Sequence, residues 1–219
     1  MKKIDITLAI CNFNKAEYLD RSIRSCLDQI VFGSKMIEVI VIDDNSSDRS
    51  KKVLKVFGKK IKLFSNKKNM GVGYCSRLAV KKAKGKYFMR VDADDYISKF
   101  SCEIMSSILD NNPDFAYVYT DHNRIDVNGF NEKTIKLDNK NKVRAHGAGI
   151  MFLKKKILSI GNYNQNFRQA EDHDLILRLD KKYKSFYLPI PLYRYYIHGK
   201  NISLNKQERK AYVKKIKIN

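Results

Sequence analysis

Short apolar runs and helix-period stretches take turns along the first hundred residues, and that alternation limits the fold more than any single motif does. ITLAIC at 6–11 reads as a buried strand, and the polar residues Asn12 to Asn14 close it. AEYLDRSIRSCLDQI at 16–30 then sets Leu19, Ile23, Cys26, Leu27 and Ile30 on one helical face. IEVIVID at 37–43, IKLFS at 61–65 and KYFMRV at 86–91 are three further short apolar runs. Between them lie two more helices. One is capped by Ser46, Ser47 or Asp48 and turns Val53, Leu54 and Phe57 inward. The other, GVGYCSRLAVKKAKG at 71–85, opens and closes on glycine.

Strands that alternate with helices build an α/β fold: a mostly parallel sheet flanked by helices on both faces. In such sheets ligands bind outside the carboxyl ends of the strands. Asn12 to Asn14, Asp43 to Ser47, Asn66 to Asn69 and Asp92 to Asp95 all follow strands, so four loops are expected to meet along one edge.

The second half is less regular. FAYVYT at 115–120 is a strand, Asn128-Gly129 a turn, and the lysine-rich stretch 131–145 an expected mobile loop. A helix is expected over 171–183, an extended segment over 188–198 and a basic tail over 205–219. With no repeat or linker, residues 1–219 read as one domain. Its donor half is 1–98, and an acceptor half covers 99–204 ahead of the tail.

A formal net charge of +21 raises the question of an anionic partner. Nucleic acid would require lysines gathered with aromatics along one groove. Here lysines such as Lys51, Lys52, Lys59 and Lys60 are scattered through every segment, and no RRM, KH, zinc or P-loop signature occurs. Nucleic acid is therefore not the expected partner. Cys11, Cys26, Cys75 and Cys102 lack metal-ligand spacing and read as reduced thiols. The start, MKKIDITLAI, meets Asp5 and Asn12 too soon for a secretion signal, and no apolar stretch is long enough to cross a bilayer. A cytoplasmic location is expected.

Chemistry concentrates in YFMRVDADDY at 87–96, where Asp92, Asp94 and Asp95 crowd behind an apolar run. Like charges this close need a cation, a basic neighbour or water. Asp92 and Asp94, one residue apart, share a face and suit a hard divalent cation, while Asp95 or Ser98 is placed to cap a following helix. A D-x-D pair alone is a weak signal.

The ordered set ITLAICNFNKAEYLDRSIRSCLDQ, IEVIVIDDNSSDRS, NKKNMGVGYCSRLAVKKAKGKYFMRVDADD, EDHDLILRL and PLYRYYIHGKNIS resembles the family 2 glycosyltransferases of the GT-A fold. That resemblance implies a Rossmann-like sheet, a nucleotide-sugar donor (a UDP-sugar) and a divalent Mg²⁺ or Mn²⁺ cofactor. Cys11 and Phe13 match positions that flank the base, where the family often has Pro or Thr and then Tyr. Asp44 matches the residue that reads the base edge, and Asn69 and Arg77 match residues that approach the nucleotide. Asp94 would hold the metal, with Asp92 on the ribose or bridging through water and His198 completing the metal shell. Arg194 and Ser203 would assist it, whereas His122 and His173 read as structural or exposed. Of the pair Glu171-Asp172, Asp172 would be the general base of an inverting displacement, its pKa raised by Glu171; His146 and Gly147 fall on an acceptor-side loop. The acceptor implied is a hydroxyl of a glycan, free or lipid-linked, in surface polysaccharide synthesis. The basic tail suits peripheral contact with anionic lipid on the inner face of the membrane. Besides nucleic-acid binding, the rival readings are a binder of nucleotide sugars without turnover, against which Asp92, Asp94 and Asp172 argue, and a nucleotidyltransferase, whose glycine-rich phosphate cradle is missing.

Overall fold

In the computed structural model, residues 3–137, 147–199 and 201 are described. The first half follows the expected alternation: β1 (Ile6–Asn12), α1 (Ala16–Leu27), β2 (Ile37–Asp43), α2 (Ser50–Phe57), β3 (Lys62–Ser65), α3 (Val72–Lys82) and β4 (Tyr87–Asp92). Then come β5 (Tyr96–Ile97), α4 (Ser101–Asn111), β6 (Phe115–Ile125), β7 (Asn131–Ile135), β8 (Met151–Leu153), α5 (Lys154–Ser159), α6 (Glu171–Asp180) and β9 (Lys184–Tyr196). Nine strands form one sheet in the order β3-β2-β1-β4-β8-β6-β9-β5, with β7 paired to β6. Strands β1 to β4 are mutually parallel, Ile10 lying opposite both Val41 and Val91. The continuous apolar character of β1 and β2 is what a strand buried on both faces requires. Leu8 and Ile10 pack with Leu19 and Ile23 of α1 on one face, whereas Ala9 packs with Ala79 of α3 and Leu175 of α6 on the other.

Chain direction along the sheet reverses at β1, since β2 and β3 lie to one side of it and β4 to the other. A crevice opens at the carboxyl ends where such an order reverses. Beyond β4 the sheet turns largely antiparallel, through β8, except that β6 and β9 run parallel.

Asp48, just ahead of the Arg49 cap position of α2, ties the starts of two helices at once. Its Oδ1 accepts from Ser50 N and its Oδ2 from Ala16 N, both at 2.9 Å. Those donors hold its carboxyl below the usual carboxylate range even though burial pushes it up. The first helix stops at Leu27 rather than Ile30, because Ile30 N turns to Lys99 O. The loop expected over 131–145 is corrected in part: 131–135 is β7, an edge strand whose Thr134 donates to Asn123 of β6 at 2.8 Å. Its alternation was hidden because polar residues dominate an edge strand with one wet face. Residues 138–145 of that stretch, together with His146, Ser203 and the basic tail, lie outside the described ones. Among the described residues no helix is long and apolar enough to cross a membrane, and all four cysteines are free thiols.

His122 on β6 is structural, as read, being only 6% exposed. Burial lowers its pKa to about 4, against the pull of Asp121. An unfolded histidine takes its proton near pH 6.5. Between these values the unfolded chain binds the extra proton, so stability is full above about pH 6.5 and falls as pH drops towards 4, by about 3 kcal/mol at most. His122→Gln is expected to flatten the melting temperature across that window, checked by thermal unfolding at stepped pH.

Candidate active site

At the crevice the loops after β1, β2, β3 and β4 meet the segment that leads into α6, enclosing a cleft of about 330 Å³. That volume suits a small ligand. Cys11, Phe13, Asp44, Asn69, Asp92, Asp94, Glu171 and Asp172 all line it. Phe13 is 44% exposed there, so it is a cleft residue and not a core one.

The three aspartates of the acidic cluster are resolved by three different sets of neighbours. Asp92 lies 3.2 Å from Arg90 Nε. Asp94 Oδ2 is 2.6 Å from Lys15 Nζ and 2.9 Å from His198 Nε2. Asp95 leaves the cleft: Tyr193 donates its hydroxyl to Oδ2 at 2.6 Å and Tyr196 its amide to Oδ1 at 2.8 Å. Asp95 is thus a buried lock between β5 and β9 and caps no helix. Burial raises the pKa of Asp95 well above the usual range, and the charges of Asp94 and Asp92 add to it. Asp94 goes the other way. Burial pushes it up, but Lys15 and His198 bring it below the usual value.

Arg90 is the hub of the site. It is 3% exposed, in a strand whose preceding members, Tyr87 to Met89, and following Val91 are buried hydrophobic residues. Its Nη1 lies 2.6 Å from Glu171 Oε1 and 3.0 Å from Asp172 Oδ1, and it donates to Ser76 Oγ at 3.0 Å. One guanidinium therefore gathers Asp92 from the end of β4 and both carboxylates from the start of α6. Three carboxylates exceed one cation, and the excess shows in the pKa values. Burial lifts Asp172 well above the usual range; Arg90 opposes this and Glu171 reinforces it. Glu171 moves down, the upward push of burial being outweighed by Arg90.

Two local features seat Asp172. A Cβ on Gly147 would lie 1.8 Å from Asp172 Cγ, so only glycine leaves room for that side chain. Ala170 takes φ 62°, a left-handed conformation that strains a residue with a Cβ and turns the chain sharply into α6.

Asp44, on the loop after β2, is held by donors of the β3–α3 loop. Oδ1 accepts from Asn66 Nδ2 at 2.7 Å and Met70 N at 2.9 Å, and Oδ2 accepts from Gly71 N at 2.8 Å. The Cys75 thiol bonds to the same carboxylate, which borders the cleft.

Two expected residues are placed differently. Arg77 does not line the cleft; its Nη1 donates to the carbonyls of Gly161 and Tyr163 at 2.7 and 2.9 Å. It sits on the side of α3 that packs on the 161–163 turn. The arginine that does line the cleft is Arg168, which donates to Asn69 Oδ1 at 3.2 Å. His198 reaches Asp94 from behind, its side chain 2% exposed, stacked on Tyr18 at 4.5 Å. Asn201 fixes the turn that carries it by accepting from His198 N at 3.0 Å and donating to Tyr196 O at 2.8 Å. Arg194 is bonded to Pro191 O and stays out of the cleft, whereas His173, read as structural or exposed, lines it.

Among the described residues no group of three His, Cys, Asp or Glu is arranged as a ready-made metal cage. The pair Asp94 and His198 nonetheless fits a Mg²⁺ or Mn²⁺ ion that takes its other ligands from water and substrate phosphates. Their shared point already attracts a cation, the ammonium of Lys15.

Residues 7–180 match the sequence profile described as Glycosyl transferase family 2. The chain belongs to that family. Its family relatives include the hyaluronan synthase of Pasteurella multocida, 28% identical over 211 residues, which cover 92% of this chain and 21% of that protein. The chondroitin synthase of Escherichia coli is 24% identical over 209 residues, covering 92% of this chain and 30% of the relative. The chain thus spans about a fifth to a third of these curated relatives. Solved family-like folds superpose well. Staphylococcus aureus TarS 1-349 in complex with UDP-GlcNAc gives a TM-score of 0.74 at 20% identity, over 92% of this chain and 61% of that one. The mannosyltransferase PcManGT of Pyrobaculum calidifontis, in complex with GDP-Man and Mn²⁺, gives 0.77 at 14% identity, over 97% and 63%. At such identities the likeness establishes the GT-A fold and no more.

The sequence missed Arg90, Lys15 and Arg168. Arg90 had a readable signal, since a charge inside an apolar strand demands buried counter-charges. Lys15 and Arg168 had none: each acts across a sequence gap that only the fold closes.

Proposed function

We propose that the chain transfers a sugar from a UDP-sugar to a hydroxyl of a glycan acceptor with inversion. The observation that carries this reading is Arg90, which ties Asp92 at the donor edge to Asp172 on the opposite wall of one cleft. Phe13 and Cys11 would flank the base, and Asp44 would accept its N–H. Asn69 and Arg168 would approach the nucleotide, with Arg168 taking the part expected of Arg77; a guanidinium suits a diphosphate because it stays charged and forks its donors.

Asp94 and His198 would hold the divalent cation and Asp92 the ribose or a bridging water. The ion, when bound, supplies positive charge to the departing diphosphate. Asp172 would take the proton of the acceptor hydroxyl as its oxygen attacks the anomeric carbon from the face opposite UDP. Glu171, kept ionised by Arg90, would hold Asp172 in place and raise its proton affinity. One displacement inverts the anomeric centre. Names of relatives, the hyaluronan and chondroitin synthases, support a growing polysaccharide as the acceptor. A cytoplasmic site of action with the basic tail against anionic lipid accords with that acceptor.

The test is a panel of UDP- and GDP-sugars with Mn²⁺, scored for nucleotide release and for binding by calorimetry. UDP-sugars are expected to be consumed and UDP to bind. Absence of both release and UDP binding would overturn the reading.

A further inference from the structure

Lys15 has no part in the scheme above, yet it stands where the scheme puts a cation. Its Nζ is 2.6 Å from Asp94 Oδ2 and 3.4 Å from His198 Nε2. It lines the cleft, whereas His198 lies behind it. Its position in the fold is unfavourable without a partner. Lys15 is the residue that immediately precedes α1, and the amino end of a helix disfavours positive charge. Asp94 offsets that repulsion. The two donors are fixed independently of Lys15: Arg21 binds the carbonyl of Asp94 at 3.2 Å, and Tyr18 and Asn201 hold His198. What can leave is the ammonium, a point charge on a flexible stem.

A hard divalent ion sits about 2.0–2.6 Å from its oxygen ligands. An ammonium bonded to the same carboxylate oxygen occupies that space, and the two positive charges would repel at close range. We propose that Lys15 and a divalent cation are alternative occupants of the Asp94–His198 point, so that the ammonium keeps free metal out. Metal then enters when an anionic diphosphate in the same cleft draws the Lys15 charge away. This rests on the assignment of the cation to Asp94 in the proposed function.

The test uses the full chain and Mn²⁺ alone, without nucleotide, read as bound Mn²⁺ by electron paramagnetic resonance. Lys15→Met is expected to bind Mn²⁺ at least tenfold more tightly than the wild type, and Asp94→Asn added to it is expected to abolish the gain. Equal affinity of Lys15→Met and wild type, or a gain that survives Asp94→Asn, overturns the proposal. Should Lys15→Met fail to fold, the wild type provides the answer through amine labelling of Lys15 followed by mass spectrometry. Labelling is expected to rise severalfold with saturating Mn²⁺ and no nucleotide, and unchanged labelling overturns the idea. A wild type that consumes UDP-sugars while these measurements fail loses only the Lys15 inference. One that neither turns over donor nor binds UDP loses the proposed function itself.

Discussion

Arg90→Met is expected to lower the melting temperature by roughly 6–20 °C and to abolish turnover. The variant removes the cation from a pocket that keeps Asp92, Glu171 and Asp172. Breaking a buried ion pair by deleting one partner costs about 3–5 kcal/mol, because the other charge stays buried. At this chain length each kcal/mol moves the midpoint by about 2–4 °C. Methionine fills much of the space, so the loss arises from charge and not from a cavity. That distinction can be measured. Adding Glu171→Gln to Arg90→Met is expected to restore part of the lost stability, since it removes one of the stranded carboxylates, and a denaturant series on the four combinations gives the coupling. Arg90→Lys is not expected to restore activity, because a point charge cannot reach Asp92 on the Nε side and Glu171 and Asp172 on the Nη1 side at once. A single variant within about 1 kcal/mol of the wild type would mean that the cluster is not held by charge.

The same residue shows how far the sequence could be read. Strands β1, β2 and β4 were legible because burial on both faces leaves mostly apolar runs, and the loops that follow them were legible as the edge of a site. Asp44, Asp92, Asp94 and Asp172 do meet at that edge. What was not legible is how their charges are shared. Asp95 read as a cap for the following helix, yet it is bonded to Tyr193 and Tyr196 a hundred residues later in the chain. Arg77 looked like the diphosphate arginine, yet the helix turns it to the 161–163 carbonyls, and Arg168 from the α6 approach reaches the cleft instead. Position along the chain locates a strand end. Which side chain crosses from the opposite wall depends on β6, β8 and β9, whose pairing no local pattern specifies. Edge strand β7 illustrates the same limit, since its partner is β6 and its own residues are mostly polar.

Asp172→Asn separates the chemistry from the architecture. The amide keeps the shape that Gly147 accommodates and leaves Arg90 with Glu171 and Asp92, so the fold and UDP binding are expected to change little. Turnover is expected to fall by roughly 10²–10⁴, the usual contribution of a positioned general base. The pH profile carries the sharper evidence. Burial and the neighbouring Glu171 raise the proton affinity of Asp172, which works as a base only when it has lost its proton. Wild-type activity should therefore climb with rising pH along a limb set by this group, displaced upward from the ordinary carboxylate range. In the asparagine variant the residual activity should lose that limb. The acidic start of α6 would serve the helix dipole whether or not Asp172 reacts, so a purely structural role predicts a lower melting temperature with the limb intact. A variant that melts early and keeps its pH dependence would assign Asp172 to the helix; one that melts normally and turns over slowly at every pH assigns it to the proton.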